Sequence, residues 1–404
     1  MSKKGEMISL TEALGIVEKE LADSTTLPIE TVSVRQAQGR IISENQIALL
    51  DLPAFNKSAM DGYAVLAGDQ RQEYRLIETV PAGKTPTQKL EPGTTTKVMT
   101  GAPVPEGTEQ VIMVEQTHEV DGKVSVISHS KETNICQRGE DIKQGDIVLK
   151  APKMLGPLEI ANLISVGTTE VKVFAPVRIA ILTTGNEIVD SPNNLASGQI
   201  MNSNGPMLEA LCRKYSLEIT ANTIVEDDRD TTVSAINTAL KNSDIVVLSG
   251  GVSAGDYDYV AEAINLAGLN LHFNRLSVKP GKPMTFASAN KKAVFGLPGN
   301  PVAVFLMFHL FVLYASRLIS GINYRPRYVT LPLANDFHRK NTERMAFMPC
   351  KLTQDGLLEQ IEYHGTAHLL ALVDCDGFFI VPKGQTSISA DQKVSFLSIK
   401  DSFQ

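Results

Sequence analysis

Four short segments carry side chains suited to phosphate chemistry. In TTGNEI, Glu187 follows an apolar run, and in VEDDRD the acids Glu226, Asp227, Asp228 and Asp230 follow another. LSGGVSAGDYDY sets Gly250, Gly251, Ser253 and Gly255 ahead of Asp256 and Asp258. SVKPGKPM places Lys279 and Lys282 around a Pro-Gly turn. Glycines let backbone N–H groups approach a phosphate closely, and a following helix N-terminus adds a favourable dipole. Two lysines three apart on a stiff turn form a compact clamp for an oxyanion. Asp227 and Asp258, on neighbouring loops, suit a hard cation such as Mg²⁺ shared with phosphate oxygens. Taken together, the four segments point to cleavage or transfer at a phosphoanhydride.

Each segment alone has a plainer reading. A glycine-rich turn after a strand is usually just a turn. Asp228 and Asp230 read as helix caps before they read as ligands. His364 and His368 in HGTAH have zinc-like spacing, but a glycine interrupts them. In GLPGNPVAV, Asn300 as N-cap and Pro301 at the first helical position account for much of the loop. The functional case is the co-occurrence of the loops on one sheet edge.

The elements around these loops alternate. RIAILTTG, EITANTIV, DIVVLSGG, LHFNRLSV, PMTFAS and AVFGL read as strands, and GPMLEALCRKY, TTVSAINTALK and YVAEAINLAG as helices. Apolar strands alternating with helices imply a largely parallel sheet covered on both faces, which binds ligands at its carboxyl ends. Upstream, Ser9 to Glu12 reads as a capping box ahead of an amphipathic helix on Leu10, Ala13, Leu14, Val17 and Leu21. From about residue 70 to 150 the texture is β, punctuated by Pro and Gly, with a hairpin signal at Asp121-Gly122. The tail from about residue 327 reads as short strands.

Composition bounds the partners. The 404 residues suffice for two to four domains, with 43% apolar and 21% charged residues, as in ordinary soluble proteins. A net charge of −7 argues against a general nucleic-acid binder. Cys136, Cys212, Cys350 and Cys375 are scattered and fit reduced thiols in a cytoplasm. The apolar run Val302 to Ile319 has the length of a membrane span, but His309 and Arg317 within it favour a buried or dimer-facing helix.

NKSAMDGYAV, MTGAPVPEG, RGEDIKQGD, TTGNE, SGGVSAGDYDY, VKPGKP and GLPGNPVA occur in the order and approximate spacing of one family. Over nearly the whole chain the sequence resembles the molybdopterin molybdotransferases (MoeA, and the gephyrin E domain in animals). The resemblance implies an elongated N-terminal domain (1–50 and 141–176) and an inserted β domain (51–140). It further implies a central doubly wound α/β molybdopterin-binding domain (177–326) and a C-terminal β-barrel (327–404). It implies a homodimer that takes adenylylated molybdopterin and molybdate, inserts the metal at the dithiolene with Mg²⁺ assistance and releases AMP. The upstream adenylyltransferase is then a candidate partner.

Carried over by motif, Asp61 and Thr100 match functional positions contributed from the inserted domain across the dimer. Asp141 and Glu187 match acidic site positions, and Asp227 and Asp258 the cation ligands. Apart from the resemblance, Gly250 and Gly251, with Ser253, are the candidate phosphate-binding positions of the glycine turn. Lys279 and Lys282 match the anion clamp, with Arg275 a frequent basic position, and Pro298 and Pro301 match the rigid wall. Three departures fall together. Ala303 stands where serine is common, Pro349 where a second arginine is expected, and Ala371 where a serine is expected. Exchange of a guanidinium for proline removes up to five donors. The departures motivate an alternative in which a degenerate paralogue binds molybdopterin or its adenylate as carrier or regulator, with weak metal insertion.

Overall fold

The computed structural model describes residues 6–22, 27–128, 130–251, 259–362, 365 and 369–400. The chain forms two compact units. One combines Met1–Ile29 with Phe174–Gln404, and the other is Glu30–Val173.

In the larger unit, six strands form one sheet. Their order is Glu218–Val225, Arg178–Thr184, Ile245–Ser249, Lys292–Leu297, Pro283–Ala289 and Asn270–Arg275. The first four run parallel, Pro283–Ala289 is antiparallel to both of its neighbours, and Asn270–Arg275 therefore runs in the direction of the first four. The central strands are buried along their length, as sheets covered on both faces require. Helices Asn204–Lys214, Arg229–Asn242 and Tyr259–Leu266 supply part of that cover. At the amino edge, Asp244 accepts from the Arg178 guanidinium at 2.9 and 3.3 Å and from its N–H at 2.9 Å. This fork ties the starts of strands Arg178–Thr184 and Ile245–Ser249 together, and the four parallel strands run toward the opposite edge.

The N-terminal helix Leu10–Leu21 starts as its sequence suggests. The Glu12 N–H donates to Ser9 Oγ at 3.2 Å, and Leu10, Ala13, Val17 and Leu21 are buried. Its apolar face joins one core with Phe273, Phe286, Phe295 and the helical segment Pro301–Ile319. That segment is therefore a core element, as its His and Arg suggested. Within it, Phe308–Val312 forms a π-turn between two α-helical stretches. The π-turn contains His309, whose Nδ1 bonds the Phe305 carbonyl at 2.8 Å and whose pKa burial lowers to about 4. His309 is thus a neutral core side chain, and the nonpolar packing of the helix carries no buried charge there.

The C-terminal part is a mixed sheet in the order Val278–Lys279, Met345–Leu352, Gly377–Val381, Lys393–Ser398 and Tyr328–Pro332, with Leu358–Gln360 added beside Met345–Leu352. Among the described residues no ladder closes its outer strands into a barrel. Its first strand belongs to the lysine turn, because Val278 and Lys279 pair with Met345 and Ala346. The Arg344 guanidinium donates to the Val278 carbonyl at 3.0 Å and secures the same turn.

In the smaller unit, a six-stranded sheet runs Thr108–Met113, Gly62–Leu66, Thr94–Val98, Glu73–Val80, Lys123–Val126 and Thr117–Val120. Asp121 and Gly122 take φ of 47° and 72°, the left-handed pair that a two-residue hairpin needs. Gly62 lies so close to its neighbour that a Cβ would sit 2.4 Å from the Ile112 carbonyl. The close approach fixes the chain immediately after Asp61.

Candidate active site at the carboxyl edge of the α/β sheet

The parallel strands end at Thr184, Val225, Ser249 and Leu297, and the loops after them enclose a cavity of about 710 Å³. Glu187, Asp227, Gly250, Gly251, Pro298 and Pro301 line it. Six of the sequence-derived positions therefore meet at one edge, as open α/β sheets dictate.

The glycines are there because nothing larger fits. Gly250 has φ +100°, and a Cβ would lie 2.4 Å from the Thr184 carbonyl. Gly251 has φ +65°, and its Cβ would meet Thr184 Oγ1 at 2.9 Å and Asp227 Oδ1 at 3.6 Å. At Gly185 an added Cβ would lie 2.7 Å from the Glu187 carboxylate. Removing three side chains opens a cradle of bare backbone between the two acids.

Asp227 begins the loop after Glu218–Val225, and its N–H donates to Asn186 Oδ1 at 3.1 Å. Burial, and then the nearby Glu187 carboxylate, raise its pKa above the ordinary range. Two carboxylates that repel across a partly desolvated cavity are the donor set a hard cation relieves. The neighbouring Asp228 plays the plainer part, since its side chain accepts from the Thr231 N–H at 2.9 Å and caps helix Arg229–Asn242. Asp230 pairs with Arg229 at 3.0 Å. Ser253, Gly255, Asp256, Asp258, His364 and His368 lie outside the described residues. Among the described residues no cluster of three or more His, Cys, Asp or Glu could hold a metal.

Lys279 and Lys282 are exposed on their turn, which closes through the Leu276 N–H to Lys282 carbonyl bond at 2.8 Å. Neither lysine lines the cavity, although Pro283 does. Gly281, with φ +113°, packs so close to Met307 that a Cβ would sit 2.7 Å from its terminal methyl. The turn is thus anchored on the helix that begins at Pro301. Arg275 ends strand Asn270–Arg275, half-buried, outside the cavity lining. Ala303 is buried in helix Pro301–Met307, which lies beside the turn Leu369–Leu372 that holds Ala371. Pro349 is in strand Met345–Leu352, and its carbonyl accepts from Ile361 at 2.9 Å. Asn300 sits at the N-cap with extended backbone, yet its side chain does not cap the helix.

In the smaller unit, Asp61 and Thr100 form a local pair. Asp61 Oδ1 accepts from the Thr100 N–H at 2.6 Å and from its hydroxyl at 2.7 Å. These two donors hold the exposed Asp61 carboxyl below the usual carboxylate range. Substitution Thr100→Val removes the hydroxyl donor and keeps the N–H. The Asp61 titration midpoint, followed by carboxyl NMR shifts against pH, is expected to rise toward the ordinary value. An unmoved midpoint would refute the pairing. Asp141 is exposed, its N–H donating to the Leu52 carbonyl at 3.0 Å.

The residues lining the cavity that sequence reasoning missed include three buried polar side chains. Thr183, Thr184 and Asn204 line it and are buried, and Thr183 Oγ1, Thr184 Oγ1 and Asn204 Oδ1 have no hydrogen-bond partner among the described residues. The signal was present in MNSNGP, where asparagines flank a helix start.

A glycine cradle, two facing acids and unpaired polar groups at the carboxyl edge of a doubly wound sheet define an α/β protein built to receive a polar, anionic ligand. Three family models match in succession. "MoeA N-terminal region (domain I and II)" covers residues 8–167, "Probable molybdopterin binding domain" 180–317, and "MoeA C-terminal region (domain IV)" 330–399. Similar curated proteins named molybdopterin molybdenumtransferase include one from Staphylococcus aureus, 32% identical over 392 residues and 94% of each chain. Another, from Staphylococcus epidermidis, is 30% identical over 414 residues, 100% of this chain and 98% of that one. Among solved structures, the molybdopterin biosynthesis moeA protein of Pyrococcus horikoshii OT3 has a TM-score of 0.83 and 28% identity, covering 97% of this chain and 100% of that one. The chain belongs to the MoeA molybdopterin molybdenumtransferase family.

Proposed function

We propose that the chain is a molybdopterin molybdenumtransferase that takes adenylylated molybdopterin and molybdate as substrates and releases AMP as the metal enters the dithiolene. The observation that carries this reading is the cradle of Gly250 and Gly251, shut against Thr184 and facing Glu187 and Asp227. The absent side chains leave room for a phosphate-linked substrate against the backbone, where the Gly250 N–H already donates to the Leu297 carbonyl at 3.3 Å. Full-length relatives at about the same length support the same reading.

In this reading Glu187 and Asp227, with Asp258, hold a magnesium ion, which when bound neutralises charge at the phosphoanhydride. The raised pKa of Asp227 supports that assignment. Gly250, Gly251 and Ser253 receive the phosphates, and Pro298 and Pro301 form the rigid wall. Lys279, Lys282 and Arg275 hold molybdate near the dithiolene sulfurs. Asp61, Thr100 and Asp141 complete the site from the second subunit of a homodimer. The protein works in the cytoplasm and receives its substrate from the upstream adenylyltransferase.

The test is a reconstitution of the purified chain with adenylylated molybdopterin, Mg²⁺ and molybdate, with AMP and molybdenum cofactor both quantified. Stoichiometric appearance of the two is expected. Tight binding without AMP release would overturn the transferase reading in favour of a carrier, the role suggested by Ala303, Pro349 and Ala371.

A further inference from the structure

Asn204 opens helix Asn204–Lys214 at the floor of the cavity, 7% exposed. Its Nδ2 donates to Ser249 Oγ at 2.8 Å and to the Gly299 carbonyl at 2.8 Å. A carbonyl can only accept, so the atom facing Gly299 must be the amide nitrogen, and the orientation of the side chain is settled by chemistry. Both amide hydrogens are therefore consumed in joining the end of strand Ile245–Ser249 to the Pro298–Pro301 wall. What remains is Oδ1, an acceptor locked in direction, buried, and without a partner among the described residues. Thr183 and Thr184, 1% and 3% exposed, bring two more buried hydroxyl oxygens without partners to the same cavity.

Buried polar groups in folded proteins are satisfied almost without exception, so three unpaired in one cavity mark the place of a partner. Two of them are hydroxyls that can donate or accept, while the third can only accept. The complementary ligand edge offers at least one hydrogen-bond donor beside further polar atoms, as the edge of an amino-substituted heterocycle does. A phosphate or a molybdate, fully ionised, has no donor to offer there. We propose that Asn204 is a specificity-determining residue that reads a ring-edge N–H of the bound heterocycle through Oδ1, while its Nδ2 holds the Gly299 wall against strand Ile245–Ser249. The proposal rests on the molybdopterin-handling reading and adds to it the residue that recognises the organic part of the substrate. Pterin and adenine both carry such an edge, and the experiment separates them.

Calorimetric titrations of the full chain use 6-hydroxymethylpterin and AMP as separate probes, each compared with its form dimethylated on the exocyclic amino nitrogen, which removes both N–H donors of that group. The wild-type chain is expected to bind one of the two rings about tenfold or more tightly than its methylated form, the scale of a lost hydrogen bond to a buried acceptor. Asn204→Leu is expected to weaken that ring by a similar factor and to raise KM for adenylylated molybdopterin. Ser249→Ala keeps Oδ1 and the Gly299 anchor, and a smaller loss is expected. Equal binding of methylated and unmodified rings, or equal losses in the two variants, would overturn the proposal. The wild-type comparison needs no substituted chain to fold. A wild-type chain that releases AMP normally while Asn204→Leu keeps its KM removes only the Asn204 assignment. A wild-type chain that forms no cofactor removes the underlying reading itself.

Discussion

Asp227→Asn is expected to reduce cofactor formation by at least about 100-fold, since even residues one layer outside a metal cost about 10–100-fold when lost. The carboxylate faces the cavity from the loop after Glu218–Val225 and is raised in pKa by burial and by Glu187. A carboxylate raised in the folded chain binds its proton more tightly there than in the unfolded chain. Above that pKa it is charged at a cost to stability, and the cost disappears as pH falls through the raised value. A bound cation would relieve the same repulsion, so under the proposed function protons and magnesium compete for Asp227. Cation affinity of the wild-type chain should therefore fall as pH is lowered through that range, and thermal stability should rise on adding Mg²⁺ near neutrality. Asn in place of Asp keeps the shape and removes the charge. Without cation the variant should melt no lower than wild type, and Mg²⁺ should no longer raise its melting temperature. Thermal melts with and without Mg²⁺, beside the AMP-release assay, check both consequences. A variant with wild-type turnover and an intact magnesium shift would remove Asp227 from the site.

The elements of this fold were legible because local chemistry and tertiary context agree. EITANTIV is strand Glu218–Val225 residue for residue, and Asp121-Gly122 turns where only a left-handed pair suffices. Asp228 caps a helix, as its type and position suggest. The convergence of Glu187, Asp227, the glycines and the prolines was also readable, because parallel strands deliver their following loops to one edge.

What escaped was set by long-range geometry. The π-turn at Phe308–Val312 leaves no mark in a run that is apolar on every side. The pairing of Val278–Lys279 with Met345–Ala346 joins segments more than sixty residues apart and turns the lysine loop into a strand of the C-terminal sheet. A compact oxyanion clamp was the expectation for Lys279 and Lys282. Lys279 pairs with the C-terminal strand Met345–Leu352, which also contains Pro349, and neither lysine lines the cavity. Asn204 escaped because an asparagine before a helix is common, and only the distances to Ser249 and Gly299 distinguish an anchor from a cap. The altered positions were noticed as missing groups, whereas the unpaired groups that are present could be found only in three dimensions.

Gly250→Ala is expected to be the most destabilising single-methyl change at the site. Two independent costs coincide there. The φ of +100° is strained for any L side chain, worth about 1–3 kcal/mol. The new Cβ would also stand 2.4 Å from the Thr184 carbonyl and 2.9 Å from Thr184 Oγ1. Thr184 ends a buried central strand paired on both sides, so the carbonyl cannot withdraw cheaply, and overpacking of this kind costs about 1–3 kcal/mol. The sum, about 2–6 kcal/mol, corresponds to a melting temperature lower by roughly 5–20 °C for a unit of this size. Gly268→Ala provides the comparison, because Gly268 has φ +78° and nothing within 4 Å of an added Cβ. It should suffer only the backbone cost and lose a few degrees at most. Thermal melts of the two variants read the difference directly. Similar small losses in both would mean that the cradle is looser than its contacts imply, and that the glycine at 250 serves chain flexibility in place of close approach by a ligand.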